Sequence, residues 1–186
     1  QLSDPTDDIV LATKTDRRAD LAALGIALLA LATRACTLGW QSLWYDEGVS
    51  LRYASASPTE LIRLLGQLGE FPPLYFLVVH YWMGLTGDSE LALRFVSACF
   101  GVLGVAMAYH LGRRLAGTAV GLVGALLLAL SPLHVWHSQE LRMYSVLAAL
   151  ALLSTDCLVS SLVTPSRWAP IGYFAATTAG LYTHLS

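Results

Sequence analysis

The chain has 186 residues, of which 55% are hydrophobic and 13% are charged, and its formal net charge is −2. Soluble domains carry roughly 25% charged residues, so this composition excludes an ordinary water-soluble domain and predicts a membrane protein. The small net charge excludes the basic surface of a nucleic-acid-binding protein, and we expect no nucleic-acid partner. The three cysteines lie singly in apolar stretches without CxxC spacing, which predicts neither a disulfide nor a zinc cluster.

Five apolar stretches are candidates to cross the hydrocarbon core as helices. The predicted spans are residues 21–39, 91–111, 115–132, 144–163 and 171–186. Residues 1–20 are polar and acidic, which predicts a cytoplasmic tail rather than a signal peptide. We therefore expect residues 21–186 to form an all-α, polytopic transmembrane bundle. A start without methionine and an end inside an apolar stretch lead us to expect the N-terminal part of a longer protein.

Two further segments, 58–68 and 72–85, are predicted to be juxtamembrane helices in the first loop. The first places apolar side chains at helical spacing, with Ser57 as its N-cap, so we expect it to lie on the membrane surface. The second is short for a span, and it carries Tyr81 and Trp82, residue types that favour the membrane interface.

Basic residues near span ends indicate the orientation, because such residues stay on the cytoplasmic side. Arg17, Arg113 and Arg167 flank three different spans. All three fall on the inner face only if residues 72–85 remain in the interface. The first loop and the segment 134–142 then both lie on the outer face of the membrane.

The same topology collects charged side chains on that outer face. The residues are Asp46, Glu47, Glu70, Glu140, Arg142 and, near the end of the last span, His184. Carboxylates that meet at one membrane face suit acid–base chemistry or divalent-metal binding. An adjacent Asp-Glu pair is also common in solvated loops, so both interpretations of Asp46-Glu47 stay open.

Three arginines lie within or beside predicted spans, where a charge is costly. Arg94 and Arg142 either bind an anionic group or extend towards the lipid headgroups. Arg34 interrupts the first span, and we expect an acidic partner for it on a neighbouring helix. The scattered histidines His80, His110, His134 and His137 are predicted to be packing or interfacial residues.

Two other functions compete with a lipid-substrate enzyme. A transporter or channel would also carry intramembrane charges, but transporters place polar residues and helix breaks near the midplane. Pro72 and Pro132 instead lie at the ends of apolar stretches. A non-catalytic membrane subunit is the second alternative, and it stays open at this point.

Four polar segments, taken in order, resemble the polyprenyl-phosphate-dependent glycosyltransferases of the GT-C fold. The closest similarity is to the protein O-mannosyltransferase and aminoarabinose transferase group. The segments are Trp44 to Glu47, Glu70 to Phe76, Leu93 to Ala98 and Ser131 to Tyr144, with Tyr182 to His184 as a weaker fifth. Phe71 departs from the pattern, since relatives often have histidine there.

The resemblance implies a multi-pass enzyme of the cell membrane with an extracytoplasmic active face. It implies inverting transfer of a mannose-like sugar from a polyprenyl phosphate to a protein, lipid or glycan acceptor. Asp46 is the expected general base, with Glu47 orienting it or the acceptor. Because relatives carry further spans that complete the donor groove, the segment alone is expected to be inactive.

The resemblance also implies groups that bind the substrate. Arg94 and Arg142 are expected to bind the leaving phosphate through their guanidinium groups. Tyr144, Glu140 and His184 are expected to contact the substrate. A divalent cation (Mg²⁺, Mn²⁺ or Zn²⁺) is a further expectation, and its candidate ligands are Glu70 and Glu140.

Overall fold

The computed structural model describes residues 17–68, 71–163 and 167–184. This part of the chain is helical and contains no strand. Its helices in chain order are α1 (Arg17–Ala35), α2 (Tyr45–Ala54), α3 (Pro58–Leu68), α4 (Leu74–Thr86), α5 (Glu90–Ala116), α6 (Thr118–Leu130), α7 (Pro132–Ser138), α8 (Tyr144–Val163) and α9 (Trp168–Leu181). The prediction of an all-α helical membrane protein is confirmed.

Two helices of the described chain, α5 and α8, are long and apolar enough to cross a membrane. The pair α6 and α7, bent by 62° at their junction, is a third candidate. Leu28, Leu127 and Phe174, on α1, α6 and α9, leave large apolar side chains exposed, which is typical of surfaces that lipid covers. The assignment of five spans to this bundle stays a prediction.

The turn between α5 and α6 lies later than the sequence suggests. α5 continues to Ala116, so Leu115, at which the sequence predicts the start of the next span, belongs to the preceding helix. Gly117 then turns the chain with a φ of 89°, a left-handed conformation that glycine adopts without steric cost. Arg113 and Arg114 lie in the last turn of α5, where their positive charges interact favourably with the helix dipole.

The successive long helices run in opposite directions, so their termini gather at two ends of the bundle. At one end α1, α6 and α9 finish, and α5 and α8 begin; we call this the site end. At the opposite end, Arg113 pairs with Asp20 at 3.2 Å. There Asp156 of α8 also contacts His110 at 3.3 Å and Arg114 at 3.4 Å, which ties α5 to α8.

The first loop forms a packed layer at the site end. Leu61 and Leu65 of α3 are buried against α4, where Tyr75 is also fully buried. The sequence predicts that the apolar face of α3 lies on the membrane surface. In the structure the buried part of this face, Leu61 and Leu65, packs against apolar side chains of α4. The predicted N-cap is present, since the amide of Glu60 donates to Ser57 Oγ at 3.4 Å.

Candidate functional site

A buried ion pair joins the first loop to α5. Glu47, in the first turn of α2, has no exposed surface. Arg94 donates two hydrogen bonds to its carboxylate, from Nε to Oε1 at 2.8 Å and from Nη2 to Oε2 at 2.6 Å. The amides of Leu141 (2.8 Å) and Trp44 (3.2 Å) donate two more. Donors from three separate chain segments thus meet on one carboxylate.

Arg94 uses all five of its N–H groups within the protein. Besides the two bonds to Glu47, its Nη1 donates to the carbonyl oxygens of Leu38 at 2.9 Å and Gln41 at 2.7 Å. Its Nη2 donates to the Ser42 carbonyl at 3.2 Å. Because a guanidinium has five donors, none remains for a leaving phosphate. The geometry therefore favours a positioning role for Arg94 over the expected phosphate contact.

The electrostatic environment keeps Glu47 ionised. Burial raises the pKa of this carboxyl, but the hydrogen bonds from Arg94 and from the Leu141 amide lower it by more. The net pKa of Glu47 therefore lies below its ordinary value. An ionised carboxylate with every contact occupied by the protein is suited to holding the loop rather than to moving a proton.

Asp46, the neighbour of Glu47, lies in a different environment. Its side chain is 40% exposed, so an acceptor group can approach it. Arg142 is the cation beside it, with Nη2 at 3.9 Å from Asp46 Oδ2 and Nη1 donating to the Asp46 carbonyl at 3.5 Å. The structure thus brings together two residues that the sequence places 96 positions apart.

Arg142 also covers a small aromatic cluster. Its guanidinium lies 5.7 Å from the ring centre of Tyr144. The rings of His137 and His184 flank the same tyrosine, with centroid distances of 4.6 Å and 6.2 Å. Of the predicted residues, Tyr144 therefore lies beside Arg142 and His184 lies beside Tyr144, as does His137, which is predicted to be a packing residue.

Glu140 contacts two residues of α7. Its carboxylate accepts a hydrogen bond from the indole Nε1 of Trp136, and its second oxygen lies 3.4 Å from His137 Nδ1. The side chain of Glu140 is 14% exposed. Glu140 is therefore linked to the Asp46–Arg142 group through His137, which packs against Tyr144.

A cleft of about 750 Å³ opens beside these residues, between the end of α1 and the α6–α7 junction. Its wall combines aromatic and polar side chains, among them Trp40, Trp44, Trp136, Gln139, Glu140 and Thr37. The Glu47–Arg94 pair also lines the cleft, whereas Asp46 and Arg142 do not. The predicted site thus divides into the cleft and the Asp46–Arg142 group.

Only one of the two expected metal ligands, Glu140, lies among the described residues. Glu70 lies outside the described residues. Within the described ranges, no three His, Cys, Asp or Glu side chains come together in a way that would hold a metal ion. Glu140 instead has Trp136 and His137 as its neighbours.

Sequence reasoning missed part of the cleft wall. Trp40, Trp136 and Gln139 received no role because isolated tryptophans near span ends indicate interfacial anchoring as readily as a site. One signal could have found the two tryptophans. Each follows the end of a predicted span, and the orientation rule places both of these ends on the same face of the membrane.

Residues 70–184 match the family of dolichyl-phosphate-mannose-protein mannosyltransferases. The chain belongs to this family. No curated protein and no solved structure matches the chain. Membership of the mannosyltransferase family makes the protein a membrane glycosyltransferase and argues against the transporter and subunit alternatives.

The matched region includes Arg94, Glu140, Arg142 and His184, but it begins after the Asp46–Glu47 pair. The structure connects that pair to the matched region, because Glu47 bonds to both Arg94 and the Leu141 amide. The acidic pair is therefore part of the same site end as the mannosyltransferase-family segment.

Proposed function

We propose that the protein transfers a mannose-like sugar from a polyprenyl phosphate to a protein, lipid or glycan acceptor, with inversion at the sugar carbon. The site end faces the extracytoplasmic side of a multi-pass bundle in the cell membrane. The observation that carries the proposal is the contact of the Asp46–Glu47 pair with the second loop, inside a chain of the mannosyltransferase family.

Asp46 is the proposed general base. It is the partly exposed member of the acidic pair, whereas Glu47 is buried and fully hydrogen bonded. In a single displacement, Asp46 takes the proton of the acceptor hydroxyl or amine as the acceptor atom bonds to the sugar carbon. The bond from that carbon to the phosphate oxygen breaks, and its electrons leave with the phosphate.

Arg142 is the proposed partner of the departing phosphate. Its contacts with Asp46 are long, at 3.5 and 3.9 Å, so its N–H groups are available to a stronger acceptor. A guanidinium binds phosphate oxygens bidentately, and negative charge grows on those oxygens as the sugar bond breaks. The ring of Tyr144, with His137 and His184 beside it, packs against the guanidinium and supports it.

The aromatic cleft, which Glu47 and Glu140 line, is the proposed entry for the lipid-linked sugar, whose reacting carbon and phosphate extend from the cleft to Asp46 and Arg142. Trp40 and Trp136 leave 81% and 65% of their surface exposed, and polar groups of Gln139 and Glu140 lie between the rings. Aromatic faces with a few fixed polar groups are typical of pockets that orient small ligands. A divalent cation stays a proposal, tested by the effect of a chelator on transfer, and no step above requires one.

The experiment uses the intact protein in membranes supplied with labelled polyprenyl-phosphate mannose. Replacing Asp46 by Asn is expected to lower transfer by roughly 10²- to 10⁴-fold, the usual contribution of a general base. Asp88→Asn, which changes an exposed acid in the turn before α5, is the matched control and leaves transfer unchanged. Full transfer by the Asp46→Asn variant would contradict the assignment.

The phosphate contact has its own test. Arg142→Gln is expected to raise the KM for the polyprenyl-phosphate donor, because the phosphate of the bound donor loses its cation. It is also expected to lower kcat, because the negative charge that grows on the phosphate in the transition state loses the same partner. The KM for the acceptor stays near its starting value. A change confined to the acceptor KM would contradict the placement of Arg142 at the phosphate.

A further inference from the structure

The junction between α6 and α7 leaves backbone carbonyl groups without their usual donors. The two helices meet at Ser131 with a bend of 62°. In a continuous helix the Leu128 carbonyl would accept from the N–H of residue 132, but that residue is Pro132, which has none. The bend also removes the donors of the other last carbonyls of α6, as at any helix end.

Arg34, which comes from α1, supplies the missing donors. Its Nη1 donates to the Ala129 carbonyl at 3.2 Å, and its Nη2 lies 3.5 Å from the Leu128 carbonyl. Nη2 also donates to His134 Nδ1, in the first turn of α7, at 2.7 Å. One guanidinium therefore bonds to both sides of the break.

The surroundings of Arg34 differ from those the sequence predicts. Arg34 has no exposed surface, and no carboxylate pairs with it among the described residues. Its charge instead faces carbonyl oxygens at the C-terminal end of α6, where the helix dipole favours a cation. The expected acidic partner is thus replaced by a helix terminus.

Gln139, which directly follows α7, makes the reciprocal contact. Its Nε2 lies 3.2 Å from the Thr33 carbonyl and 3.1 Å from the Arg34 carbonyl, near the end of α1, and 2.7 Å from Thr37 Oγ1. Arg34 thus caps the end of α6, and Gln139 caps the end of α1. We call this pair of contacts the Arg34–Gln139 clamp.

The packing argues against Arg34 as a ligand-binding group. A Cβ atom added at Gly101 of α5 would lie 2.9 Å from Arg34 Nε, so that side of the guanidinium is filled by helix backbone. The remaining N–H groups point at carbonyls and at His134. The Nε–H of Arg34 has no hydrogen-bond partner, but it is buried against Gly101, so an anion would find no space there.

We propose that Arg34 is a positioning residue that fixes the α6–α7 break and, through it, the second loop. The three residues that follow Gln139 in the chain belong to the second loop. Glu140 lines the cleft, the amide of Leu141 bonds to Glu47, and Arg142 lies beside Asp46. The effect on sugar transfer rests on the proposed function, whereas the structural coupling between Arg34 and Pro132 does not.

The structural part is tested by hydrogen exchange on the intact protein in nanodiscs. Arg34→Met is expected to speed exchange of the amides of residues 133–141 by about tenfold, because loss of one charged hydrogen bond has that order of effect. Pro132→Ala restores an N–H for the Leu128 carbonyl, so the same arginine substitution has a smaller effect in that background. Arg63→Met, at an exposed arginine of α3, is the control and leaves these amides unchanged.

Transfer of labelled mannose separates positioning from stability. In the Pro132→Ala background, Arg34→Met regains thermal stability but not activity, because a straight helix no longer sets the second loop. Arg34→Lys keeps the charge and one or two of the hydrogen bonds, so it is expected to regain part of the activity. It also provides a folded variant for these measurements if Arg34→Met does not fold.

Two results would overturn the proposal. One is an equal effect of the Arg34 substitution on exchange with and without Pro132, measured with Lys if Met fails to fold. The other is full transfer by the Arg34 variants despite faster exchange at residues 133–141. If Asp46→Asn alone stays fully active, the proposed function fails while the exchange result still decides the clamp.

Discussion

Replacing Glu47 by Gln tests the buried ion pair that ties the two loops together. The carboxylate accepts four hydrogen bonds, two from Arg94 and one each from the amides of Leu141 and Trp44. The amide of glutamine turns an NH₂ group towards at least one of these donors and leaves Arg94 without a counter-charge. Because the side chains of the pair are 0% and 6% exposed, water cannot compensate.

The magnitude follows from the burial of the pair. Removal of one partner from a buried ion pair costs about 3–5 kcal/mol, and part of this cost is the unpaired charge left behind. We therefore expect Glu47→Gln to lower the unfolding temperature of the purified protein by several degrees. The Leu141 amide then either faces the NH₂ group or bonds to an uncharged oxygen, so its hydrogen exchange accelerates in the same variant.

Glu60 and Arg63 provide a matched control with the same bidentate geometry on the protein surface. Arg63 Nε and Nη2 donate to Glu60 at 3.0 and 2.8 Å, but both side chains are largely exposed. Glu60→Gln is expected to leave the unfolding temperature unchanged, because solvent screens exposed pairs. Equal effects of Glu47→Gln and Glu60→Gln, or an unchanged exchange rate at Leu141, would refute the reasoning.

Three further predictions concern packing, the opposite end and pH. Gly101→Ala is expected to cost about 1–3 kcal/mol, because its Cβ would lie 2.3 Å from Ser138 Oγ; Gly124→Ala, with open space at its Cβ, is the control, and equal unfolding temperatures would contradict the clash. Asp156→Asn removes the contacts to His110 and Arg114, so thermal stability falls while transfer per folded molecule is unchanged; a selective loss of transfer would contradict this. The net pKa of Glu47 lies below its ordinary value, since its hydrogen bonds outweigh burial. The stabilisation by ionised Glu47 is therefore complete above the ordinary pKa of a glutamate, about 4.3, and is lost as pH falls from there through the lower pKa of the folded protein. An unfolding temperature of Glu47→Gln that falls in acid as steeply as that of the unsubstituted protein would refute this.

The sequence predicts the fold class and the gathering of polar residues at one end, because both depend on simple properties. Apolar stretches of span length predict helices, and the distribution of Arg17, Arg113 and Arg167 groups the loops. Those two rules suffice to bring the residues around Asp46 and those around Arg142 to one end of the bundle, where they meet.

The division of labour within the site could not be predicted, because it depends on side-chain directions. Asp46 and Glu47 are neighbours in sequence, but the rotation of about 100° between successive helical residues directs the first to the surface and the second to Arg94. Likewise, the partners of Arg34 are backbone carbonyls at a break, and a sequence pattern of side-chain types does not reveal them. The amphipathic pattern of α3 predicts a helix at the membrane surface, but it does not reveal that Leu61 and Leu65 pack against α4, because the pattern is the same for either partner.

The central claim is that the first and second loops lie on one face of the membrane and that this face is the outer one. Thiol labelling with a membrane-impermeant reagent tests it on intact cells, after Cys36, Cys99 and Cys157 have been replaced by serine. Single cysteines at Tyr45 and Trp136, which are 83% and 65% exposed, report on the two loops, and Leu115, which is 61% exposed, reports on the opposite end. We predict labelling at positions 45 and 136 and none at 115 until the cells are opened. Labelling at only one of positions 45 and 136 would contradict a shared face, and labelling at 115 alone would reverse the orientation.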